Sequence, residues 1–412
     1  MAENRQPKFF YGYVVVVAGF VILVLMYGTL YSFGVFFKPV LTEFGWTRAM
    51  TSGAYSLCFL LSGAVAMVTG RLNDRFGPRM VMVGCGLLLG LGYLLMPQIS
   101  AIWQLYLFYG VIIGMGMSGG VTPSLSTVAR WFVKRRGLMT GITVAGIGAG
   151  TLITPPIANW LISTFSWRTS FTIIGITVLV LIVGLAQFLR RDPSKMGLLP
   201  YGANAATGEK SSLDTTGLSL QEAIRTRQFW MLFAIYICGG FFIQIIIVHI
   251  VIHTTGLGIS AASAAVVLAI VGGGNIAGRL MAGAAADRLG NKLTITAALI
   301  LMAVVFLWLQ IAEEVWMLYL FAAIFGLAHG GILCMMSPLT AELFGLRCHG
   351  ALLGIIMFGS TIGGAIGPIV AGRIFDITSS YQTAFIICAA VAVAAFMIVI
   401  FIRPIYSQVG TK

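Results

Sequence analysis

The sequence predicts an all-α membrane protein: twelve transmembrane helices in two six-helix bundles, with both termini in the cytoplasm. Three observations carry this: composition, the distribution of basic residues, and an internal repeat. Of 412 residues, 59% are hydrophobic and 9% charged, with a mean hydropathy of +0.98. A soluble domain carries about 25% charged residues. A span needs about 20 apolar residues, so the length leaves room for roughly a dozen. The 51 glycines suit helices that pack closely in lipid.

The apolar runs place spans near 12–36, 50–70, 79–98, 102–129, 138–163, 169–189, 228–252, 260–285, 292–311, 315–341, 350–372 and 382–402. The start, MAENRQPKFF, is polar and basic and runs into an apolar stretch too long for a signal-peptide core, so the first helix reads as retained. With the N-terminus inside, 20 Lys and Arg fall on the cytoplasmic side and four outside: Lys38, Arg48, Arg168 and Arg373. That asymmetry fixes the orientation and a multi-pass place in the cell's inner (cytoplasmic) membrane. The net charge of +13 is spread through short loops. It therefore reads as an orientation signal and not as a nucleic-acid surface. The six cysteines show neither metal-ligand spacing nor a disulfide framework. No cofactor is expected, and nothing points beyond a monomer.

The loop from Arg190 to Arg227 is polar and divides the chain. The expected units are an N-terminal bundle, 1–189, a cytoplasmic linker, 190–227, and a C-terminal bundle, 228–412. Late in the linker, Ser219 with Glu222 three residues on forms a capping-box pattern for a short amphipathic surface helix. The halves repeat. Gly70-Arg-Leu-Asn-Asp74-Arg75-Phe-Gly77 joins the second and third spans, and Gly283-Ala-Ala-Ala-Asp287-Arg288-Leu-Gly290 joins the eighth and ninth. The offset of 213 residues also aligns Gly137 with Gly350, Gly141 with Gly354 and Pro155 with Pro368. A parallel duplication of this kind builds two bundles with a substrate path between them near the midplane.

One charge lies deep inside a span. Arg279 sits in Val271-Gly-Gly-Gly-Asn275-Ile-Ala-Gly-Arg279, eight residues before Asp287. At about 1.5 Å per residue it lies roughly 12 Å inside the edge of a core about 30 Å thick. Such a charge costs at least about 2.5–3.5 kcal/mol, which makes function its default reading. None of the twelve acids falls at mid-membrane on these spans. The simplest counter-charge is a substrate anion, and the planar guanidinium fork fits a carboxylate. The plain alternative is an arginine satisfied by carbonyls or waters. Asn275, one turn earlier on the same face, either orients the guanidinium, hydrogen-bonds a 2-hydroxyl or keto oxygen, or glues two helices. Tyr31 and Tyr27 share a face of the first helix and either donate to substrate or pack with a wet end. His329 lies in Gly326-Leu-Ala-His329-Gly-Gly331, and histidine is a side-chain type that can titrate near neutral pH. It is the candidate proton site, against a packing histidine. His249 and His253 read as interfacial. Asp74, Arg75, Asp287 and Arg288 are assigned to gating, through helix-end contacts that favour the state closed on the inside, against a static loop staple.

The two Gly-x-x-x-Asp-Arg-x-Gly-x-Arg/Lys loops resemble the signature of the major facilitator superfamily across essentially the whole chain. Arg130-Trp-Phe-Val-Lys-Arg-Arg-Gly137-Leu-Met-Thr-Gly141, Ser166-Trp167-Arg168-Thr-Ser-Phe171 and Arg279 resemble the monocarboxylate transporter family and its bacterial oxalate/formate relatives. The resemblance implies a carrier of lactate, pyruvate or similar short monocarboxylates, commonly with a proton. It also implies that the region of His329 shapes selectivity. The chain departs from the animal pattern twice. The family's aspartate one turn before the arginine is Asn275 here, and its first-helix lysine aligns with Tyr31.

No Gly-x-Ser-x-Gly, His-Glu-x-x-His or phosphate-binding Gly-x-x-x-x-Gly-Lys-Ser/Thr occurs, so neither an enzyme nor built-in ATP hydrolysis is expected. The expected partners are a small monocarboxylate, a proton and the lipid bilayer. Two alternatives remain: an organic-anion exchanger of oxalate/formate type, and a carrier of neutral solutes with Arg279 structural.

Overall fold

A computed structural model describes residues 10–132, 135–202, 217–345 and 349–402. Twelve helices are long and apolar enough to cross a membrane, and the described residues form no strand beyond isolated bridges. We label them α1 (Gly12–Phe44), α2 (Arg48–Asn73), α3 (Pro78–Gln98), α4 (Ile102–Val128), α5 (Leu138–Thr164) and α6 (Trp167–Ala186). The second set is α7 (Arg227–Gly256), α8 (Ala261–Ala286), α9 (Asn291–Trp308), α10 (Val315–Phe344), α11 (Ala351–Thr378) and α12 (Gln382–Phe401).

Local chemistry sets the ends of these helices. Thr47, Ser166, Thr226 and Ser260 each accept an N–H of the first turn, at α2, α6, α7 and α8. These caps satisfy donors that the helix leaves unpaired. The two repeat loops end their helices in one way. Gly77 has φ 85° and ψ 166°, and Gly290 has φ 87° and ψ 157°. Only glycine adopts that region without strain. The same residue at the same repeat position thus enforces the same reversal from α2 into α3 and from α8 into α9. Two helix interiors depart from regularity. α1 breaks at Ser32, whose hydroxyl donates to the Gly28 carbonyl at 2.7 Å. α4 holds a π-helical stretch, Tyr106–Ile113.

Packing follows the repeat. In the N-terminal half α1 lies against α5, α2 against α4, and α3 against α6. In the C-terminal half α7 lies against α11, α8 against α10, and α9 against α12. The halves meet through α2 with α11, α5 with α8, and α1 with α7. The 213-residue offset carries the first of these seams onto the second. Large apolar side chains such as Leu280, Val180 and Trp230 remain exposed, as expected where the surrounding solvent is lipid.

Inner and outer are used here in the sense set by the charge asymmetry. On the outer side the halves are in contact. A methyl on Gly34 would overlap the carbonyls of Ile247 and Val248, and one on Gly372 would overlap the backbone of Ala49. On the inner side, Gly141 of α5, Gly283 of α8 and Gly354 of α11 face open space. The halves therefore close together outside and part toward the inside.

The linker is fastened at both ends. Tyr201 N–H donates to the Trp131 carbonyl at 2.9 Å, and Leu218 N–H donates to the Phe344 carbonyl at 2.9 Å. The capping box forms as expected. Glu222 N–H donates to Ser219 Oγ at 3.3 Å, and Ser219 N–H donates to the Glu222 carboxylate at 2.7 Å, starting the helix Leu220–Ile224.

A buried arginine between the bundles

Arg279 is set by how α8 meets α10. A methyl on Gly326 or Gly330 would overlap the carbonyls of Val271 or Asn275, and one on Gly274 or Gly278 would overlap those of Ala323 or Leu327. The small residues let the two backbones touch, a mode of packing suited to lipid. They also pin the backbone from which Arg279 projects.

The guanidinium is half-buried, and its Nε–H donates to Asn275 Oδ1 at 3.0 Å. Asn275 is 4% exposed, and its amide nitrogen has no partner among the described residues. Its oxygen therefore orients the arginine, while its two N–H groups have no partner among the described residues. Among the described residues no carboxylate lies within ion-pair distance of Arg279. The ion pairs found join Arg130 with Asp192, Arg168 with Glu43, and Arg191 with Asp192.

The other expected residues surround this centre. Tyr27 and Tyr31 lie within electrostatic reach of Arg279, with their rings edge-on at 5.7 Å. His329 is 7% exposed and also lies within reach of Arg279. Its ring is 6.2 Å from that of Phe325, and its Nδ1 has no partner among the described residues. The structure thus brings Arg279, Asn275, Tyr27, Tyr31 and His329 together from α1, α8 and α10.

Two further residues complete this layer. Tyr55 of α2 donates to Gln244 Oε1 of α7 at 2.8 Å, with Tyr31 close by. One glutamine side chain therefore ties α2 to α7 beside Tyr31. Neither residue carries charge or sits in a motif, so nothing in the chain singles them out. The repeat offers a faint clue, because the 213-residue offset carries Gln244 onto Tyr31. Cys334 of α10 also lies within reach of Arg279.

The gating residues lie elsewhere. Arg75 and Arg288 are exposed at the inner ends of α2 and α8, and the Arg75 guanidinium is 5.2 Å from the Phe76 ring. The side chains of Asp74 and Asp287 lie outside the described residues. One expectation is corrected. His249 is not interfacial but 0% exposed, with both ring nitrogens hydrogen-bonded, because the outer ends of α2 and α11 close over it. His253 is likewise half-covered, by Tyr381 and Phe385.

Comparison with known proteins agrees with this architecture. The family model of the Major Facilitator Superfamily matches residues 19–296 and 253–410. Monocarboxylate transporter 11 of Homo sapiens is 29% identical, over 95% of this chain and 82% of its own. Monocarboxylate transporter 13 of Rattus norvegicus is 26% identical, over 99% and 92%. Monocarboxylate transporter 2 of Homo sapiens is 26% identical, over 95% and 85%. Among solved structures, a bacterial homolog of the human lysosomal transporter Spinster, inward-facing and occupied, superposes with a TM-score of 0.74. It is 15% identical and covers 96% of this chain and 97% of its own, which is a likeness of fold.

Proposed function

The chain belongs to the major facilitator superfamily, and from that premise we propose that it carries short monocarboxylates, with a proton, by alternating access. One observation carries the reading: a guanidinium between the bundles, oriented by Asn275 and without a carboxylate partner among the described residues. The names of its relatives support the same substrate class.

The geometry assigns each group a task. With Nε committed to Asn275, the guanidinium presents its terminal nitrogens, a fork that pairs with both oxygens of a carboxylate. The free Asn275 amide lies one helical turn away, suited to a 2-hydroxyl or 2-keto oxygen on the same substrate. Tyr27 and Tyr31 face this position from the opposite bundle. A docked carboxylate cancels the arginine's charge and lowers the cost of closing a dry cavity around the pair. Rocking of the bundles then moves the opening from one side to the other. Asp74, Arg75, Asp287 and Arg288 hold the inner face shut in the opposite state. His329 borders this position with its Nδ1 unpartnered among the described residues, suited to a hydrogen bond to substrate or to the carried proton. An exchanger of dicarboxylates needs a second cation here, and among the described residues the layer holds Arg279 alone.

Uptake of labelled lactate into proteoliposomes tests the reading. Arg279→Ala is expected to abolish uptake, and Arg279→Lys to retain a fraction, because an ammonium keeps the charge but not the fork. Full uptake by Arg279→Ala rejects the anchor role. Uptake by the unmodified carrier that ignores an imposed pH gradient rejects proton coupling.

A further inference from the structure

The outer closure of the α2–α11 seam is a polar latch. Asp376, on α11, accepts the backbone N–H of Arg48 at 3.0 Å and of Ala49 at 3.0 Å, so both carboxylate oxygens cap the start of α2 across the bundle boundary. The Arg48 guanidinium lies 3.3 Å from the centre of the Phe375 ring, and its Nη1 donates to the Tyr381 hydroxyl at 2.8 Å. Tyr381 in turn is 2.9 Å from His249 Nδ1. His249 Nε2 is 2.9 Å from the Pro368 carbonyl, which also accepts from Ser52 at 3.1 Å.

Donor logic fixes the protonation of this chain. A carbonyl only accepts, so His249 Nε2 carries a hydrogen. A guanidinium only donates, so the Tyr381 oxygen accepts from Arg48 and turns its own hydrogen to His249 Nδ1. Burial pushes the Tyr381 phenol above its ordinary value, so that hydrogen stays on oxygen. The latched form thus holds a neutral histidine with its Nδ1 lone pair occupied. A proton on Nδ1 would set two cationic donors on one phenol oxygen and leave the phenol hydrogen without an acceptor. Among the described residues Asp376 makes no hydrogen bond to Tyr381 or His249; its bonds go to the α2 backbone.

We propose that His249 is a proton-binding site that keeps the outer latch shut when neutral and releases it when protonated. The inference rests on the alternating-access reading, though not on the substrate. Separation of the bundles withdraws Arg48 and Ser52, which belong to α2. Tyr381 and Pro368 stay with His249 in the C-terminal half. The phenol then accepts from the protonated Nδ1 and turns its hydrogen to water. The proton enters from outer water as the latch opens and returns there as it shuts, so the site acts as a switch and not as the carried proton.

Other titratable groups face this place. Arg48 and Lys38 come from the N-terminal half, the latter lining an outer cavity of about 170 Å³ with Arg48 and Thr255. Both oppose a cation in the closed form. Asp376 and Tyr381 come from the C-terminal half. His253, one turn along α7, has no partner for Nε2 among the described residues and packs on the rings of Tyr381 and Phe385. It touches no bond of the latch and serves as the control.

The test is a distance measurement between spin labels at Thr42→Cys and Ile377→Cys, exposed on opposite sides of the seam. It uses full-length protein in liposomes without substrate, with the native cysteines replaced. The fraction open to the outside is expected to rise as pH falls from 8 to 5, by up to about tenfold per pH unit, the limit for one proton. His249→Gln is expected to flatten that response, whereas His253→Gln and Arg279→Ala keep it. Tyr381→Phe, which preserves the ring, is expected to raise the open fraction several-fold at pH 8. A pH-independent distance in the unmodified protein overturns the proposal, as does an unchanged response in His249→Gln or an unchanged open fraction in Tyr381→Phe. A protein that opens at acid pH yet takes up no monocarboxylate retires the transport reading and leaves the latch standing.

Discussion

The two seams between the bundles are related by the repeat, yet they are built from different chemistry. The outer end of α2–α11 is held by Asp376, Arg48, Tyr381 and Ser52. At the matching positions of α5–α8 the 213-residue offset places Ser163 for Asp376, Ala261 for Arg48 and Ala265 for Ser52. That seam lacks this polar set and relies on glycine contact, which α2–α11 also has at Gly372 against Ala49. A methyl on Gly272 would overlap the backbone of Leu152 and the carbonyl of Gly148, and one on Gly148 would overlap Ile276. Polar bonds between bundles can be exchanged for water when the seam opens. Backbone-to-backbone contact offers nothing to exchange and lets the surfaces roll or slide. On the proposed alternating-access reading, one seam is made to break and the other to bear, and the bearing seam carries Arg279.

The comparison breaks most sharply at Gly272. Gly272→Leu is expected to reduce lactate uptake to background and to destabilise the protein by about 1–3 kcal/mol, the usual cost of overpacking. Gly283→Leu lies on the same helix where nothing comes within 4 Å. It is expected to keep both uptake and thermal stability, and equal effects of the two would end the distinction between seams. A smaller effect is expected at the substrate layer. Asn275→Ala removes the arginine's orienting acceptor and should weaken apparent lactate affinity about tenfold, roughly 1–1.5 kcal/mol for one hydrogen-bonding partner. Ser62→Ala, at the repeat-related position, should leave affinity unchanged, since among the described residues the Ser62 hydroxyl bonds only the Phe59 carbonyl of its own helix. The smallest shift is expected at the latch. Asp376→Asn keeps shape and one acceptor but removes a charge from the α2 N-terminus. That charge is worth about 0.3–1 kcal/mol, or a two- to fivefold gain in the outward-open population, read from the distance between spin labels at Thr42→Cys and Ile377→Cys.

Much of the fold is legible in the sequence because lipid imposes a single strong rule on each span. The repeat is legible because Gly77 and Gly290 must adopt a backbone conformation that other residues resist. Arg279 is legible because a charge in an apolar run has no cheap structural explanation. The helix ends are less so. α1 continues to Phe44, α10 to Phe344 and α11 to Thr378, beyond the apolar runs ending near 36, 341 and 372. Lys38, Glu43 and Asp376 look like loop charges, yet they ride on helices that pass beyond the apolar core, where Glu43 binds Trp167 and Arg168 and Asp376 caps α2. The Tyr55–Gln244 and His249–Tyr381 bonds were not legible. They join residues 189 and 132 positions apart, and a pair becomes informative only once the bundles are assembled.

Lys292, at the start of α9, donates to the carbonyls of Ile400 and Ile402 at 2.8 and 2.7 Å. Those are orphan acceptors at the end of α12, which packs against both α9 and α7. The order of synthesis then matters. The ninth helix is inserted more than 100 residues before its fastening exists, so the C-terminal half leaves the ribosome with a groove still facing lipid. Its last helix seals that groove, and the lysine records that the seal is complete. Nascent chains halted after Ile402 has cleared the insertion machinery should resist protease in this half, whereas chains halted a few residues earlier should not.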